Sequence, residues 1–200
     1  MSGRFIVFEG GEGSGKSTAA AATAKRLEGA GVDVVLTREP GGTVVGEQVR
    51  ALLHHDLAPW TEAFAFLVAR AQIVEEVIRP ALARGATVVC DRYEASFIAY
   101  QGYARGLEMG PLLAANEAAT GGVHPDLTVY LDIDPEVGLK RKLGEDEAIR
   151  TGLETLAFHR KVREGYLSQM RLAPAGSWVI VDAALSAGEV AEAAWRAVRE

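Results

Sequence analysis

Eight consecutive residues, Gly10-Gly11-Glu12-Gly13-Ser14-Gly15-Lys16-Ser17, carry the clearest chemistry in this chain. They spell G-x-x-x-x-G-K-S. Glycines at this density let a loop turn its backbone N–H groups inward, because they accept positive φ and carry no Cβ to block a phosphate. A helix starting there adds partial positive charge. Lys16 is the residue placed to reach β- and γ-phosphates, and Ser17 offers a hydroxyl to Mg²⁺. A glycine-rich turn ahead of a helix is the plainer alternative. The flanks decide against it, since the apolar run Phe5-Ile6-Val7-Phe8 precedes the loop and the Ala-rich segment Thr18 to Leu27 follows it. The implied ligand is a nucleoside triphosphate, held by Gly10 through Thr18.

Other charged residues are candidates for the same site. Asp91 follows an apolar run and stands where an acid holds Mg²⁺ opposite Ser17; its bland role is a helix N-cap. Arg38 and Arg92 lie just after apolar runs. Guanidinium groups bind phosphate oxygens in pairs, which suits a phosphate acceptor. Arg70 lies inside Phe66-Leu67-Val68-Ala69-Arg70, where an arginine is either solvated or buried with a partner. Phe66, one turn earlier, adds a stacking face. The polar stretch Glu145 to Thr151 reads as a solvated loop or as a lid that closes over the reaction.

Helical and strand signals alternate along the chain, so the fold class is α/β with a parallel sheet. Strands are expected at about Arg4–Glu9, Asp33–Arg38, Ala86–Cys90, Leu127–Leu131 and Ser177–Val181. Helices are expected at about Gly15–Ala30, Thr43–His54, Trp60–Leu82, Glu136–Lys142, Leu153–Met170 and Ala187–Arg199, with a loop-and-helix region from Tyr93 to Asn116. In Trp60–Leu82 the residues Phe64, Leu67, Ala71, Val74 and Ile78 are expected to share one buried face. In an open parallel sheet ligands gather beyond the carboxyl ends of the strands. Those ends carry the glycine loop, Arg38-Glu39-Pro40, Asp91-Arg92-Tyr93 and Asp132-Ile133-Asp134.

With 200 residues, 48% hydrophobic and 24% charged, the chain suits one globular domain, residues 1–200, with a lid at about 142–152. A formal net charge of −6 without like-charge blocks disfavours a nucleic-acid surface. The single cysteine, Cys90, builds no disulfide, and the four histidines form no metal-ligand pattern. No signal-peptide or membrane-spanning pattern is present, so the expected location is cytoplasmic.

The motifs FEGGEGSGKST, TREPGGT at Thr37 to Thr43, RAQIVEEVIRPAL at Arg70 to Leu82, DRYEASFIAYQG at Asp91 to Gly102 and LDIDPEVGLKR at Leu131 to Arg141 together resemble the thymidylate kinase family in order and spacing. The resemblance implies a P-loop NTPase fold, a five-stranded parallel sheet flanked by helices on both faces, and usually a homodimer. It implies the reaction ATP plus dTMP giving ADP plus dTDP, with Mg²⁺. By position, Phe66 would stack on thymine and Arg70 would hydrogen-bond the base. Arg38 and Arg92 would hold the dTMP phosphate. Glu12 would lie near the sugar 3′-hydroxyl, Tyr100 would crowd the 2′ position and Gln101 would sit beside the base. Pro40 and Ser96 complete the implied dTMP set, and Arg141 would lie against adenine.

The chain departs from that pattern in two places. Phe97 stands where the family often has Thr or Asn. The glycine loop has no basic residue among Gly11, Glu12, Gly13 and Ser14, and relatives of that type supply a catalytic arginine from the lid. Arg150 is the candidate, with Arg141 and Lys142 behind it, although Leu143, Glu145 and Ile149 depart from the usual lid. Lys16, Arg92, Arg150 and Glu12 are the expected catalytic set. The other readings are a deoxynucleoside or other small-acceptor kinase, and a P-loop ATPase switch. A GTPase is disfavoured, because the only asparagine is Asn116 and neither N-K-x-D nor D-x-x-G occurs.

Overall fold

The computed structural model describes residues 3–143 and 156–199. Of the expected lid, Lys142 and Leu143 are the last residues of a helix, and 144–152, with Glu145, Ile149, Arg150 and Thr151, lies outside the described residues, as do positions 153–155 at the expected start of the following helix. Among the described residues, five strands form one parallel sheet in the order β2-β3-β1-β4-β5. They are β1 (Phe5–Gly10), β2 (Val34–Arg38), β3 (Thr87–Asp91), β4 (Leu127–Asp132) and β5 (Trp178–Asp182). β1 is central, and its residues are buried throughout. That burial explains the continuous apolar runs: a parallel strand covered on both faces has no side to leave polar.

Alternate β1 side chains build the two cores. Ile6 and Phe8 pack with Val129, Leu131 and the helices α1 (Lys16–Gly29) and α9 (Ala187–Arg199). Phe5 and Val7 face the other way, onto Ile73, Val74, Ile78 and Tyr93. The result is helix, sheet, helix, with the glycine loop leaving the centre of the sheet.

The remaining helices among the described residues are α2 (Val44–Leu52), α3 (Pro59–Ile73), α4 (Arg79–Ala83), α5 (Glu94–Phe97), α6 (Met109–Thr120), α7 (Pro135–Leu143) and α8 (Leu156–Leu172). Thr43 starts α2 by accepting a hydrogen bond from the Gly46 N–H at 2.9 Å. Two π-helical turns interrupt the helices, Val74–Ile78 between α3 and α4, and Ile98–Ala104 after α5. The second carries Tyr100 and Gln101; such turns often occur where side chains serve a site.

The single buried face expected for Trp60–Leu82 is corrected. Phe64 is 55% exposed and Ala71 is exposed, while Ala63, Ala65, Leu67, Ala69 and Arg70 are buried. The helix is flanked on two sides. Ala65 and Ala69 meet Val49, and Ala63 and Leu67 meet Phe97 and Leu112. A two-sided burial does not give one stripe at helical spacing.

Candidate active site

The glycine loop joins β1 to α1, whose N-cap is Gly15, a residue with no side chain to occupy the first N–H groups. Its first N–H groups are therefore open to an anion. Lys16 folds back over the loop, donating to the Gly11 carbonyl at 2.7 Å and to Ser14 Oγ at 3.4 Å. Burial lowers its pKa to about 7, and neighbouring Arg92 pushes the same way. The loop is pressed against α7 through Gly13 and Gly138. A Cβ on Gly138 would overlap the Glu12 carbonyl oxygen, and one on Gly13 would overlap the Gly138 carbonyl.

Ser17 Oγ donates to Asp91 Oδ2. Asp91 Oδ1 is buried without a hydrogen-bond partner among the described residues. A hydroxyl beside a carboxylate with one oxygen unused is a hard-oxygen donor pair of the kind Mg²⁺ takes. Among the described residues no group of three or more His, Cys, Asp or Glu forms a separate metal centre.

Arg92 follows β3 in a left-handed conformation, φ 71°. Glu9, fully buried at the end of β1, accepts from the N–H groups of Tyr93 and Ser96 and so fixes the turn. Arg92 reaches Glu12 at 2.7 Å, donates to Ser96 Oγ at 3.1 Å and lies over the Tyr100 ring. Lys142 on α7 also reaches Glu12. Burial works to raise the Glu12 carboxyl, but Arg92, Lys142 and Lys16 outweigh it and hold its pKa at about 2. Arg38, half exposed, pairs with Glu47 at 3.1 Å and lines the cavity around the loop.

A cavity of about 690 Å³ opens beside this cluster. Its lining includes Phe66 and Phe97 beside Arg70 and Gln101, together with Glu12, Pro40, Arg92, Ser96, Tyr100 and Lys142. Arg70 is 2% exposed and pairs with Glu39, with Nε at 2.9 Å; its NH1 donates to Asn116 Oδ1 at 2.7 Å. Burial works against the guanidinium charge, and Glu39 outweighs it, raising its pKa. A second cavity, about 370 Å³, lies on the other side of the loop between Gly13, Thr18 and Arg141. Arg141 is held there by the carbonyls of Ala183 and Ala184, at 2.6 and 2.8 Å.

The structure thus brings the glycine loop, Asp91, Arg38, Arg92, Phe66, Arg70, Ser96, Tyr100 and Gln101 to one edge of the sheet. It also adds residues that sequence reasoning passed over. Glu39 and Asn116 hold Arg70, Glu9 fixes the Arg92 turn, and Arg50 ties down the Pro40 carbonyl at 3.0 Å. One signal pointed to Asn116: it is a lone amide inside the Ala-rich run of α6. No sequence signal marks Glu39 as Arg70's partner.

Residues 8–194 match the thymidylate kinase family model. A thymidylate kinase of Thermomicrobium roseum is 48% identical over 199 residues, 98% of this chain and 94% of that protein. One of Solidesulfovibrio magneticus is 47% identical over 205 residues, covering 97% and 98%. One of Deinococcus radiodurans is 43% identical over 201 residues, covering 99% and 97%. With a matching model over most of its length and relatives this similar end to end, the chain belongs to the thymidylate kinase family.

Proposed function

We propose that the chain transfers the γ-phosphoryl group of ATP to dTMP, giving dTDP and ADP, a step of dTTP biosynthesis. The observation that carries the reading is a shared wall. Glu12, Pro40, Arg50, Arg92 and Lys142 line both the nucleotide-sized cavity with Phe66 and Arg70 and the cavity around Lys16 and Ser17. A monophosphate seated in the first therefore presents its phosphate to a triphosphate on the loop. Phosphoryl transfer needs little covalent chemistry from protein; alignment and fixed charge supply most of the rate.

In this reading Gly10 to Thr18 cradle the ATP phosphates, Lys16 balances the charge that shifts between donor and acceptor, and Arg141 lines the adenine side. Arg92 and Arg38 hold the acceptor phosphate. Glu12 orients Arg92 and Lys142 and faces the sugar, and Tyr100 leaves no room for a 2′-hydroxyl. Phe66 stacks on the base, and Arg70 donates to it. Ser17 and Asp91 would hold Mg²⁺, which when bound would neutralise donor phosphate charge. Arg150 is assigned to transition-state charge from a lid at about 142–152 of a single kinase domain. A cytoplasmic homodimer belongs to the same proposal; the exposed Phe64 and Val68 support an apolar pairing face on α3.

The test is ADP formation from ATP with dTMP, dUMP, dCMP, thymidine or no acceptor. Turnover should require an acceptor, with dTMP the best. Preference for thymidine would point to a deoxynucleoside kinase, and acceptor-independent hydrolysis to a switch.

A further inference from the structure

The amide of Gln101 is almost completely buried, 1% exposed, yet it lines the acceptor cavity. It sits on the π-helical turn Ile98–Ala104 and reaches across to the first turn of α3. There its Nε2 donates to Glu62 Oε1 at 2.9 Å. Its other end, Oε1, has no hydrogen-bond partner among the described residues. Glu62 is in turn anchored by Arg105, at 3.1 Å. An ionised carboxylate accepts and does not donate, so it takes the NH₂ end of an amide and never the carbonyl end. The orientation of Gln101 therefore follows from the chemistry of Glu62 rather than from the placement of two similar atoms.

We infer that Glu62 is a positioning residue for base selection: it holds the Gln101 amide with its buried carbonyl oxygen unpaired among the described residues in the wall of the acceptor cavity, where a ring N–H of the bound pyrimidine would supply the missing donor. Arg70 supplies the opposite polarity. Its guanidinium has five N–H donors, of which Glu39 and Asn116 take three, leaving two without a partner among the described residues. Acceptor and donor together match a base edge that shows N–H beside C=O, which is the thymine or uracil edge. Cytosine shows an acceptor nitrogen beside an NH₂ and meets both groups with the wrong polarity. Phe97, buried on the same wall, has no polar atom to compensate. An unmatched buried donor or acceptor costs more than a matched one gains, so fixing the amide sharpens discrimination more than binding. If Glu62 were lost, the amide would be free to turn its NH₂ end inward and accommodate the cytosine edge.

This inference rests on the proposed dTMP reading and is tested in the intact enzyme. The measurements are kcat and KM for dTMP, dCMP and ATP, with thermal unfolding, in the parent, E62Q and E62Q/Q101E. E62Q is isosteric and removes only the acceptor-only character of the partner. It should raise the dTMP KM about threefold, narrow the dTMP-over-dCMP preference about tenfold and leave the ATP KM within about twofold. E62Q/Q101E exchanges the two groups, so that an acceptor-only carboxylate at position 101 is met by an amide donor at position 62. It should recover the dTMP preference to within about threefold. Arg105→Gln, which loosens the carboxylate without removing it, should shift the preference the same way by about threefold and gives the comparison if E62Q does not fold. An unchanged preference in E62Q, or in Arg105→Gln where E62Q does not fold, overturns the inference even if Tm falls, since a purely structural residue lowers stability without altering selection. So does a double variant as unselective as E62Q. A parent enzyme that ignores dTMP altogether overturns the functional reading instead.

Discussion

Arg92 is the one non-glycine residue with positive φ among the described residues, 71°, and its guanidinium lies 2.7 Å from the Glu12 carboxylate. The left-handed backbone turns the side chain off the end of β3, across β1 and into the acceptor cavity. Such a conformation costs a non-glycine residue about 1–2 kcal/mol. Hydrogen bonds from the Arg92 N–H to the Phe8 carbonyl and from the next turn to Glu9 hold it there. Glu12 then keeps the guanidinium in position before any phosphate arrives.

Arg92→Gly accepts the same φ without strain and deletes the guanidinium. We expect kcat to fall about 10²- to 10³-fold, the range for losing one charge-stabilising donor. The relieved strain offsets the lost ion pair, so Tm should move by no more than about 3 °C. Arg92→Lys keeps the charge but not the fork and should lose about tenfold or more. Near-normal kcat in the glycine variant would remove Arg92 from the reaction.

Arg70 and Glu39 are buried together, and each is costly without the other. Arg70→Ala should destabilise the fold by about 3–5 kcal/mol in urea unfolding, because Glu39 is left unpaired. Arg70→Met combined with Glu39→Gln should regain most of that stability but not dTMP affinity. In both variants the dTMP KM should rise at least tenfold while the ATP KM changes little. Equal damage to both substrates would contradict the base contact.

The pKa of about 7 for Lys16 lies below the ordinary 10.5. Between those values the unfolded chain holds a proton that the folded chain has released. The Lys16 contribution to stability is therefore least favourable below pH 7 and improves as pH rises from about 7 to about 10. ATP binding runs the other way, since its phosphates favour charged Lys16. At pH 8 titration calorimetry in buffers of different ionisation enthalpy should show uptake of up to about one proton per ATP. ATP affinity should fall above pH 7, by up to about tenfold per unit. Absence of proton uptake at pH 8 would show that Lys16 is already charged in the free enzyme.

Gly138→Ala places a methyl group on the Glu12 carbonyl oxygen, so the glycine loop or α7 must move. Overpacking of this kind costs about 1–3 kcal/mol. Because the displaced atoms belong to the phosphate loop, the ATP KM should rise about tenfold, and the dTMP KM by less. An unchanged ATP KM with a lower Tm would show that the loop does not depend on this contact.

Much of this protein is legible from short stretches of sequence. The glycine loop announces itself between an apolar run and an Ala-rich helix. The doubly buried strands show as uninterrupted apolar runs, and the last helix, Ala187–Arg199, has the bounds that its spacing predicts. These are local signals, set by backbone freedom and by burial on both faces. What only the tertiary structure decided is pairing at a distance. Arg70 reads from sequence as either solvated or buried; it is buried because Glu39, 31 residues away, and Asn116, 46 residues away, converge on it. The Gln101 amide is oriented by Glu62, 39 residues away. No periodicity carries that information. Which polar side chains meet depends on the strand order, which places the ends of β1, β2 and β3 side by side, and on the π-helical turn that carries Tyr100 and Gln101 into the cavity.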